Sequence, residues 1–189
     1  MKLREPGDTG SAPKRCSARL TSPITIRPFT VFDVDFVISR QLVLYKSEYG
    51  FTSDIWNAYL TDGVHKFVKN FDPGRDCMYI LENNGAPSGS VAVMHVDAAT
   101  AQLRFFFLEP EVRGRGAGSL LLDRAVDFCN DKHFEQVFLW KFSTLMAARH
   151  LYSSRGFRIT EVNENTDWGR KILEERGIWH YNYFLAEFF

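Results

Sequence analysis

Glycines and arginines alternate in the segment EPEVRGRGAGSLLL, residues 109–122. Gly114, Gly116 and Gly118 lack a Cβ, so the backbone there can curl closely around a ligand. The apolar runs on either side predict a strand, a loop and then a helix, whose first turn has unpaired N–H groups and a positive dipole end. The pattern therefore predicts an anion site suited to a pyrophosphate, with Arg113 and Arg115 adding charge. The alternative is a tight turn with solvated arginines.

Two common nucleotide-binding loops do not match this segment. A P-loop requires Gly-Lys-Ser/Thr at the end of its glycine run, whereas the run here ends Gly118-Ser119-Leu120. The Rossmann fingerprint requires a third glycine at the position of Ser119. It also belongs to an early strand of a parallel sheet, whereas several strands of antiparallel type precede this loop. The sequence excludes both types of loop.

The glycine loop and a second motif resemble the GNAT superfamily of N-acetyltransferases. Arg113-x-x-Gly116-x-Gly118 matches the family's R/Q-x-x-G-x-G/A loop. The downstream segment AARHLYSSRGF (147–157) resembles its A-x-x-L-Y-x-x-x-G-F signature, and the element order is similar from about residue 24 onward. LWKFSTLMAARHLYSSRGF and the later DWG also resemble bacterial-type domains, including the acetyltransferase half of fusions to MarR-type regulators, although no MarR-like half is expected here.

The resemblance implies acetyl-CoA as co-substrate and direct attack on it by a primary amine of a small molecule or peptide. Backbone N–H groups of the loop would hold the pyrophosphate, while the fourth strand would pair with the pantetheine arm. That strand (101–109) and the fifth (136–142) would splay apart to admit the arm. The cofactor-binding residues implied are Phe106, Phe107, Leu108, Arg113, Gly114, Arg115, Gly116, Ala117, Gly118 and Ser119.

Tyr152 matches the family tyrosine that protonates the departing CoA thiolate. A phenol of ordinary pKa, about 10, can donate a hydrogen bond and a proton to a thiolate. Taken without the resemblance, Tyr152 is better explained as a core residue that packs with Leu151 and Phe157. The resemblance favours the cofactor side, so Tyr152 is the predicted catalytic residue.

The general base of the family has no counterpart in this sequence. Gln102 stands where many members carry a glutamate, and the neighbouring Arg104 is no base. The amine proton would then leave through water, His95 or Glu109, which remain open alternatives. The missing carboxylate also leaves open a non-catalytic acyl-CoA-binding or sensing module on the same fold. A third possibility is an interaction protein whose glycine loop binds nothing.

The acceptor site is expected where the first two predicted helices meet, because the resemblance places it there. Glu48, Tyr49 and Trp56 fall around that join, and Trp168 lies in the loop before the last predicted strand. Each also has an ordinary alternative as a surface or core residue. We expect Glu48, Tyr49 and Trp168 to contact the substrate.

The remaining elements follow from hydrophobic periodicity. They predict an α/β fold with a GNAT-like mixed, mostly antiparallel sheet of about seven strands, flanked by about four helices. Thr30 and Asp33 form a predicted capping box before the first helix. The predicted strands are 24–29, 77–82, 89–96, 101–109, 136–142, 157–163 and 178–189, and the predicted helices are 34–50, 54–70, 119–132 and 144–156.

Composition supports one globular domain over 23–189, preceded by a flexible tail over 1–22 that is rich in Gly, Pro and Ser. A hydrophobic fraction of 45% allows a sizeable core, and 23 basic against 23 acidic residues argue against a nucleic-acid partner. No apolar run approaches the roughly 20 residues of a membrane span. Cys129 is expected in the core, scattered histidines and cysteines predict no metal site, and we expect a cytoplasmic protein that could form a homodimer.

Overall fold

The computed structural model describes residues 23–181, so the predicted tail (1–22) lies outside the described residues. The strands are β1 Ile24–Pro28, β2 Cys77–Asn83, β3 Ala86–His95, β4 Thr100–Leu108, β5 Gln136–Phe142, β6 Arg158–Asn165 and β7 Ile172–His180. The helices are α1 Val34–Tyr49, α2 Asp54–Lys69, α3 Ala117–Asp131 and α4 Met146–Ser153. This order confirms the predicted sequence of elements.

The strands form one sheet in the order β1-β2-β3-β4-β5-β7-β6. β4 and β5 pair in parallel, because α3 connects them as a crossover, while the other neighbours are antiparallel. The predicted mixed, mostly antiparallel sheet is therefore confirmed.

Each face of the sheet has its own hydrophobic core, because successive strand residues point to opposite faces. In β2, Tyr79 and Leu81 join the core beneath α3, whereas Met78 and Ile80 join the core beneath α1 and α2. Cys129 of α3 is buried in the first core, as predicted, and burial raises the pKa of its thiol.

The local signals at two helix starts have the expected geometry. The Thr30 N–H donates to Asp33 Oδ2 over 2.7 Å, and the Asp33 carboxylate also accepts two 2.8 Å hydrogen bonds from Arg27 of β1. At α2, the Trp56 N–H donates to Ser53 Oγ over 3.1 Å. These caps satisfy N–H groups that a helix start leaves unpaired.

Three predicted elements differ from the structure by three residues or more at one end. α4 spans Met146–Ser153 rather than 144–156, because Leu145 has non-helical angles (φ −79°, ψ 70°). The turn between β2 and β3 contains only Asn84 and Gly85, so β3 begins at Ala86 rather than at residue 89. The φ values of these two residues, 54° and 78°, suit a tight two-residue turn. β7 begins at Ile172 instead of residue 178. The charged residues at its start are not typical of a strand, but tertiary contacts provide partners for Glu174 and Glu175.

Candidate functional site

β4 and β5 pair only at their first residues, where Thr100–Gln102 lie opposite Gln136–Phe138. Beyond that point the two strands separate and open a cleft in the middle of the sheet, as expected from the resemblance. A cavity of about 870 Å³ fills the cleft and continues towards α1 and α2. The cavity is lined by both motifs that the sequence singled out.

A β-bulge re-aims the side chains of β4 at this opening. Ser90 of β3 pairs with Phe107, but Ala92 pairs with Arg104, so β4 has an additional residue between the two pairs. Phe105 has a φ of +50°, and its carbonyl accepts a 2.6 Å hydrogen bond from Ser90 Oγ. Consequently the side chains of Arg104 and Phe105, although consecutive, both contact α2. After the bulge, the residues of β4 therefore point to the opposite faces of the sheet from those that an unbroken strand would give.

The glycine loop approaches the cleft with space for a ligand. Gly114 and Gly116 have φ values of +69° and +80°, and a Cβ added at either would meet nothing within 4 Å. Gly118 serves a different purpose, because its Cβ would lie 3.3 Å from Leu151 Cδ2 and 3.4 Å from Leu108 Cδ1. The first two glycines allow the loop to curl, and the third allows α3 to pack closely against α4 and β4.

Unpaired donors lie at the start of α3. The first helical hydrogen bond runs from the Leu120 N–H to the Gly116 carbonyl over 3.1 Å. Within residues 23–181, the N–H groups of Gly116, Gly118 and Ser119 have no acceptor, and these residues line the cavity. Such donors at a positive helix end, beside open space that a Cβ would enter, fit a pyrophosphate.

The predicted cofactor residues divide into two groups. Phe106, Phe107, Leu108, Arg113, Gly114, Gly116, Gly118 and Ser119 line the cavity. Ala117 is buried behind the loop, and Arg115 is exposed and lies outside the cavity lining. A contact of Arg115 with the cofactor stays a prediction.

Arg113 holds the loop in place. Its Nε and Nη2 atoms donate to the Leu108 carbonyl over 2.9 and 2.8 Å, and its guanidinium pairs with the Glu48 carboxylate at 2.9 Å. The side chain therefore ties the loop to the end of β4 and to α1. Its charge is compensated by Glu48, so binding of an anion would depend mainly on the backbone donors.

Tyr152 projects from α4 into the same cleft. Only 7% of the residue is exposed, and its ring lies 5.8 Å from the Phe106 ring and 5.7 Å from the Phe157 ring. It lines the cavity, and its hydroxyl makes no hydrogen bond to any residue of the described chain. Burial raises the pKa of this phenol, so it remains protonated at neutral pH. Tyr152 therefore packs in the hydrophobic core and also lines the cleft.

Neither side chain considered as a base lies in the cavity lining. His95 Nδ1 lies 2.7 Å from Asp76 Oδ1, near the end of β3 remote from the glycine loop. Glu109 is buried and accepts hydrogen bonds of 2.6 and 2.9 Å from Arg40. Gln102 lines the cavity but is not a base.

Aromatic side chains of α1, α2 and the β6–β7 loop form one wall of the cavity. Trp168, from the β6–β7 loop, packs against Trp56 at 5.3 Å and against Tyr59 at 5.0 Å between ring centroids. Trp56 also stacks on Tyr45 at 4.9 Å. Glu48, Tyr49 and Trp168 line the cavity together with Trp56, and their contact with a substrate stays a prediction. Sequence reasoning missed Tyr45 and Tyr59, which were masked by their place in ordinary amphipathic helices.

Sequence reasoning also assigned no role to five charged residues in or near the cavity. Lys141 of β5 pairs with Glu175 of β7, which also pairs with Arg149 of α4. Burial opposes ionisation of Glu175, but hydrogen bonds and charge from Lys141 and Arg149 hold its pKa below the usual range. Arg104, Lys141 and Glu174 line the cavity itself. A charge in a strand is usually solvated, so the sequence contained no signal that would separate these residues from surface charges.

Within residues 23–181, no three histidine, cysteine, aspartate or glutamate side chains come together in a way that could hold a metal ion. None of the helices in that range is long and apolar enough to cross a membrane.

Comparison with known proteins agrees with this geometry. Residues 43–157 match the acetyltransferase (GNAT) family model. An uncharacterized N-acetyltransferase of Methanocaldococcus jannaschii is 26% identical over 151 residues, which cover 76% of this chain and 64% of that protein. N-acetylaspartate synthetase of Danio rerio is 26% identical over 147 residues, 75% of this chain and 47% of that protein. The chain thus spans less than two thirds of either relative.

A solved structure shares the fold. It is a candidate acetyltransferase from Salmonella typhimurium, determined with its cofactor acetyl-CoA, and it matches this chain with a TM-score of 0.65 at 18% identity. The matched region covers 83% of this chain and 93% of the Salmonella chain. The family match spans more than half of this chain and includes the glycine loop, α3, β5 and α4. The chain therefore belongs to the GNAT family of acetyltransferases.

Proposed function

We propose that this protein is an N-acetyltransferase that transfers the acetyl group of acetyl-CoA to a primary amine. One observation carries the proposal: a single cavity runs from the glycine loop, through the opening between β4 and β5, to the aromatic wall. One end suits a pyrophosphate, and the other suits a small organic acceptor. The names of the two relatives, which denote acetylation at nitrogen, support an amine acceptor.

Acetyl-CoA fits the donors of the cleft. The N–H groups at the start of α3 would hold the pyrophosphate, and the edge of β4 that has lost its β5 partner would pair with the pantetheine arm. The Leu108 carbonyl already accepts from Arg113, so this pairing falls mainly to Phe106 and Phe107. The Salmonella protein with the same fold contains acetyl-CoA, which supports this assignment. Acetyl-CoA would supply a thioester carbonyl as electrophile.

The residues of the chain would handle binding and protons. The acceptor ammonium loses one proton to water, and the resulting neutral amine forms the C–N bond while the C–S bond breaks. Tyr152 donates its proton to the departing sulfur and regains one from the amine nitrogen through water. One proton is released to solvent for each acetyl group transferred. Of the proton acceptors considered from the sequence, water is the one proposed, because His95 and Glu109 have other partners outside the cavity lining.

Binding and turnover test this proposal separately. Acetyl-CoA should raise the melting temperature of the full chain, and a panel of amines should release CoA thiol above the background rate of hydrolysis. Stabilisation without thiol release from any amine or peptide would support the alternative, a non-catalytic acyl-CoA-binding module. Absence of both signals would contradict the proposal and favour an interaction protein.

Further features are proposed on sequence grounds. We propose three features that go beyond the family assignment. They are a resemblance to the acetyltransferase halves of MarR fusions, a cytoplasmic location and a homodimer. The neutral net charge, with 23 basic and 23 acidic residues, supports a substrate other than a nucleic acid. The domain is proposed to occupy 23–189, with 1–22 as a tail. Size-exclusion chromatography with light scattering would test the homodimer.

A further inference from the structure

Most charged side chains of the cavity wall have an oppositely charged partner. The pairs are Arg113 with Glu48, Lys141 with Glu175, and Arg155 with Asp123. Among the described residues that line the cavity, Arg104 and Glu174 are the two charged side chains without such a partner. The cavity therefore has one uncompensated positive charge and one uncompensated negative charge.

Arg104 is positioned by aromatic rings and keeps free donors. Its guanidinium carbon lies 5.5 Å from the Tyr59 ring centroid and 4.8 Å from the Phe105 ring centroid. One N–H donates to the Tyr59 hydroxyl over 3.2 Å, and no other hydrogen bond of this side chain exists within residues 23–181. The planar guanidinium has five N–H donors, so it can still bind a carboxylate in bidentate geometry.

Glu174 is positioned by two neutral donors. Its Oε1 atom accepts from Trp168 Nε1 over 2.7 Å, and its Oε2 atom accepts from Asn165 Nδ2 over 3.0 Å. Each carboxylate oxygen has a second lone pair, so both retain the capacity to accept from an ammonium group. Neither donor carries a positive charge that would compensate the carboxylate.

Arg104 and Glu174 lie at the two ends of one chain of contacts. Arg104 packs on Tyr59, the Tyr59 ring packs on Trp168 at 5.0 Å, and Trp168 donates to Glu174. The aromatic pair separates the charges, since no ion pair joins them directly, and supplies an apolar surface between them. Unpaired charges beside apolar surface lose part of their hydration, so a ligand that compensates both is favoured.

We propose that the acceptor is a small amino acid, a molecule with a primary amine and a carboxylate. The carboxylate binds Arg104, the ammonium binds Glu174, and the carbon chain lies against Tyr59 and Trp168. This inference rests on the proposed N-acetyltransferase function and narrows its acceptor. A simple alkylamine would leave Arg104 without an anion, and an acid without an amine would leave Glu174 without a cation.

Matched acceptors test the role of the carboxylate. Free amino acids, including β-alanine and γ-aminobutyrate, are compared with their carboxamides and with alkylamines of equal length, at equal concentrations of neutral amine. We expect kcat/KM to favour the acids by about tenfold or more, as for loss of a charged hydrogen bond. In Arg104→Gln this preference should fall to within about threefold, and Arg104→Lys should restore part of it. Arg124→Gln is the matched control, because Arg124 also stacks on a tyrosine, Tyr79, but lies outside the cavity lining.

Binding provides a second readout that does not depend on turnover. Calorimetric titration of the CoA-saturated protein with the preferred amino acid should show about tenfold weaker binding in Glu174→Gln. Glu164→Gln is its control, because Glu164 lies in the adjacent strand and pairs with exposed Lys171. Melting temperatures and acetyl-CoA binding of each variant show whether the cofactor end of the site remains folded.

The outcomes separate this inference from the proposed function. Equal use of acids, carboxamides and alkylamines would overturn the inference but leave the N-acetyltransferase intact. Acceptance of peptides with no activity on any free amino acid would overturn it too, as would an equal loss for acids and carboxamides in Arg104→Gln. Failure of acetyl-CoA to bind and of every amine to release thiol would instead contradict the proposed function.

Discussion

Arg113 of the glycine loop pairs with Glu48 of α1 at 2.9 Å, while two of its nitrogens donate to the Leu108 carbonyl. The side chain thus connects three elements at the mouth of the cavity. It explains why an arginine precedes the glycines even though its charge is compensated: a lysine could not reproduce this fork of donors.

Replacement of Arg113 by lysine should therefore loosen the loop without removing its charge. We expect KM for acetyl-CoA to rise by about three- to tenfold with a smaller change in kcat, since lost hydrogen bonds weaken positioning of the backbone donors. Steady-state kinetics with saturating amine measure this split. Arg124→Lys serves as control because it leaves the loop untouched, and an unchanged KM in Arg113→Lys would contradict the bracing role.

Gly116→Glu should abolish binding of acetyl-CoA. The new side chain would project into open space beside the α3 donors and place a carboxylate where the pyrophosphate is expected. Gly85→Glu is a matched control, because Gly85 also has a positive φ (+78°) and open surroundings but lies in the β2–β3 turn. Both variants should lose comparable stability, about 1 kcal/mol, through backbone strain. Thermal shift with acetyl-CoA should persist in Gly85→Glu alone, and its persistence in both would exclude the loop as the phosphate site.

Tyr152→Phe should lower kcat by about tenfold to a hundredfold while the fold stays intact, because the lost hydroxyl has no hydrogen-bond partner in the described chain. The buried Tyr79 provides the control, since Tyr79→Phe removes a hydroxyl from the same core outside the cavity lining. Thiol release at saturating acetyl-CoA is the measurement. An unchanged kcat would remove Tyr152 from the chemistry.

The pH profile gives a separate test of Tyr152. An acid must be protonated to act, and burial raises the pKa of this phenol above its ordinary value. Its protonated form therefore persists at alkaline pH, so kcat should not decline because of Tyr152 between pH 7 and about pH 10. A decline in that range that disappears in Tyr152→Phe would show that the phenol titrates earlier than its burial implies.

The buried Lys141–Glu175 pair should control acid stability. The pKa of Glu175 is lower in the folded protein than in the unfolded chain, so its contribution is present above the unfolded pKa, about 4.5, and is lost as pH falls through the folded value. Glu175→Gln should reduce the free energy of unfolding at pH 7 by about 3 kcal/mol, because Lys141 is left buried without its counter-ion. Urea denaturation at several pH values measures both effects.

The exposed Lys171–Glu164 pair is the control for this prediction. Its side chains are 68% and 52% exposed, so Glu164→Gln should change stability by less than about 0.5 kcal/mol. A similar small effect for Glu175→Gln would show that the buried pair is hydrated, contrary to its position between β5, β7 and α4.

The element order and the family were accessible from the sequence because their signals are local. Gly114 and Gly116 adopt positive φ within a few residues of the helix they precede, and the Asp33 carboxylate accepts from the Thr30 N–H three residues away. The apolar periodicity of α3 and β5 similarly lies within short windows. These patterns also identified the loop and the cleft, whose assignment to acetyl-CoA remains a proposal.

The start of β7 and the charged residues of the cavity were not accessible in this way. Glu174 lies in a run of charges that obscures the strand, and its partner Trp168 comes from a loop. The alternation of β4 side chains between the two faces of the sheet is broken by the bulge at Phe105, directly after Arg104. This bulge depends on the pairing of β4 with β3. No short window of sequence contains both Arg104 and its partner Tyr59.

By itself, the sequence determined which elements form and in what order, and it predicted which loop would bind an anion. Tertiary structure alone decided which charges find partners. Arg104 and Tyr59 are 45 positions apart, and Ser53 and Asp167, whose hydrogen bond joins α2 to the Trp168 loop, are 114 apart. Conformational preferences act between neighbours, whereas compensation of a charge depends on every group that folding brings near it. The proposed cofactor end therefore follows from a local pattern of this chain, whereas the proposed acceptor end depends on its tertiary structure.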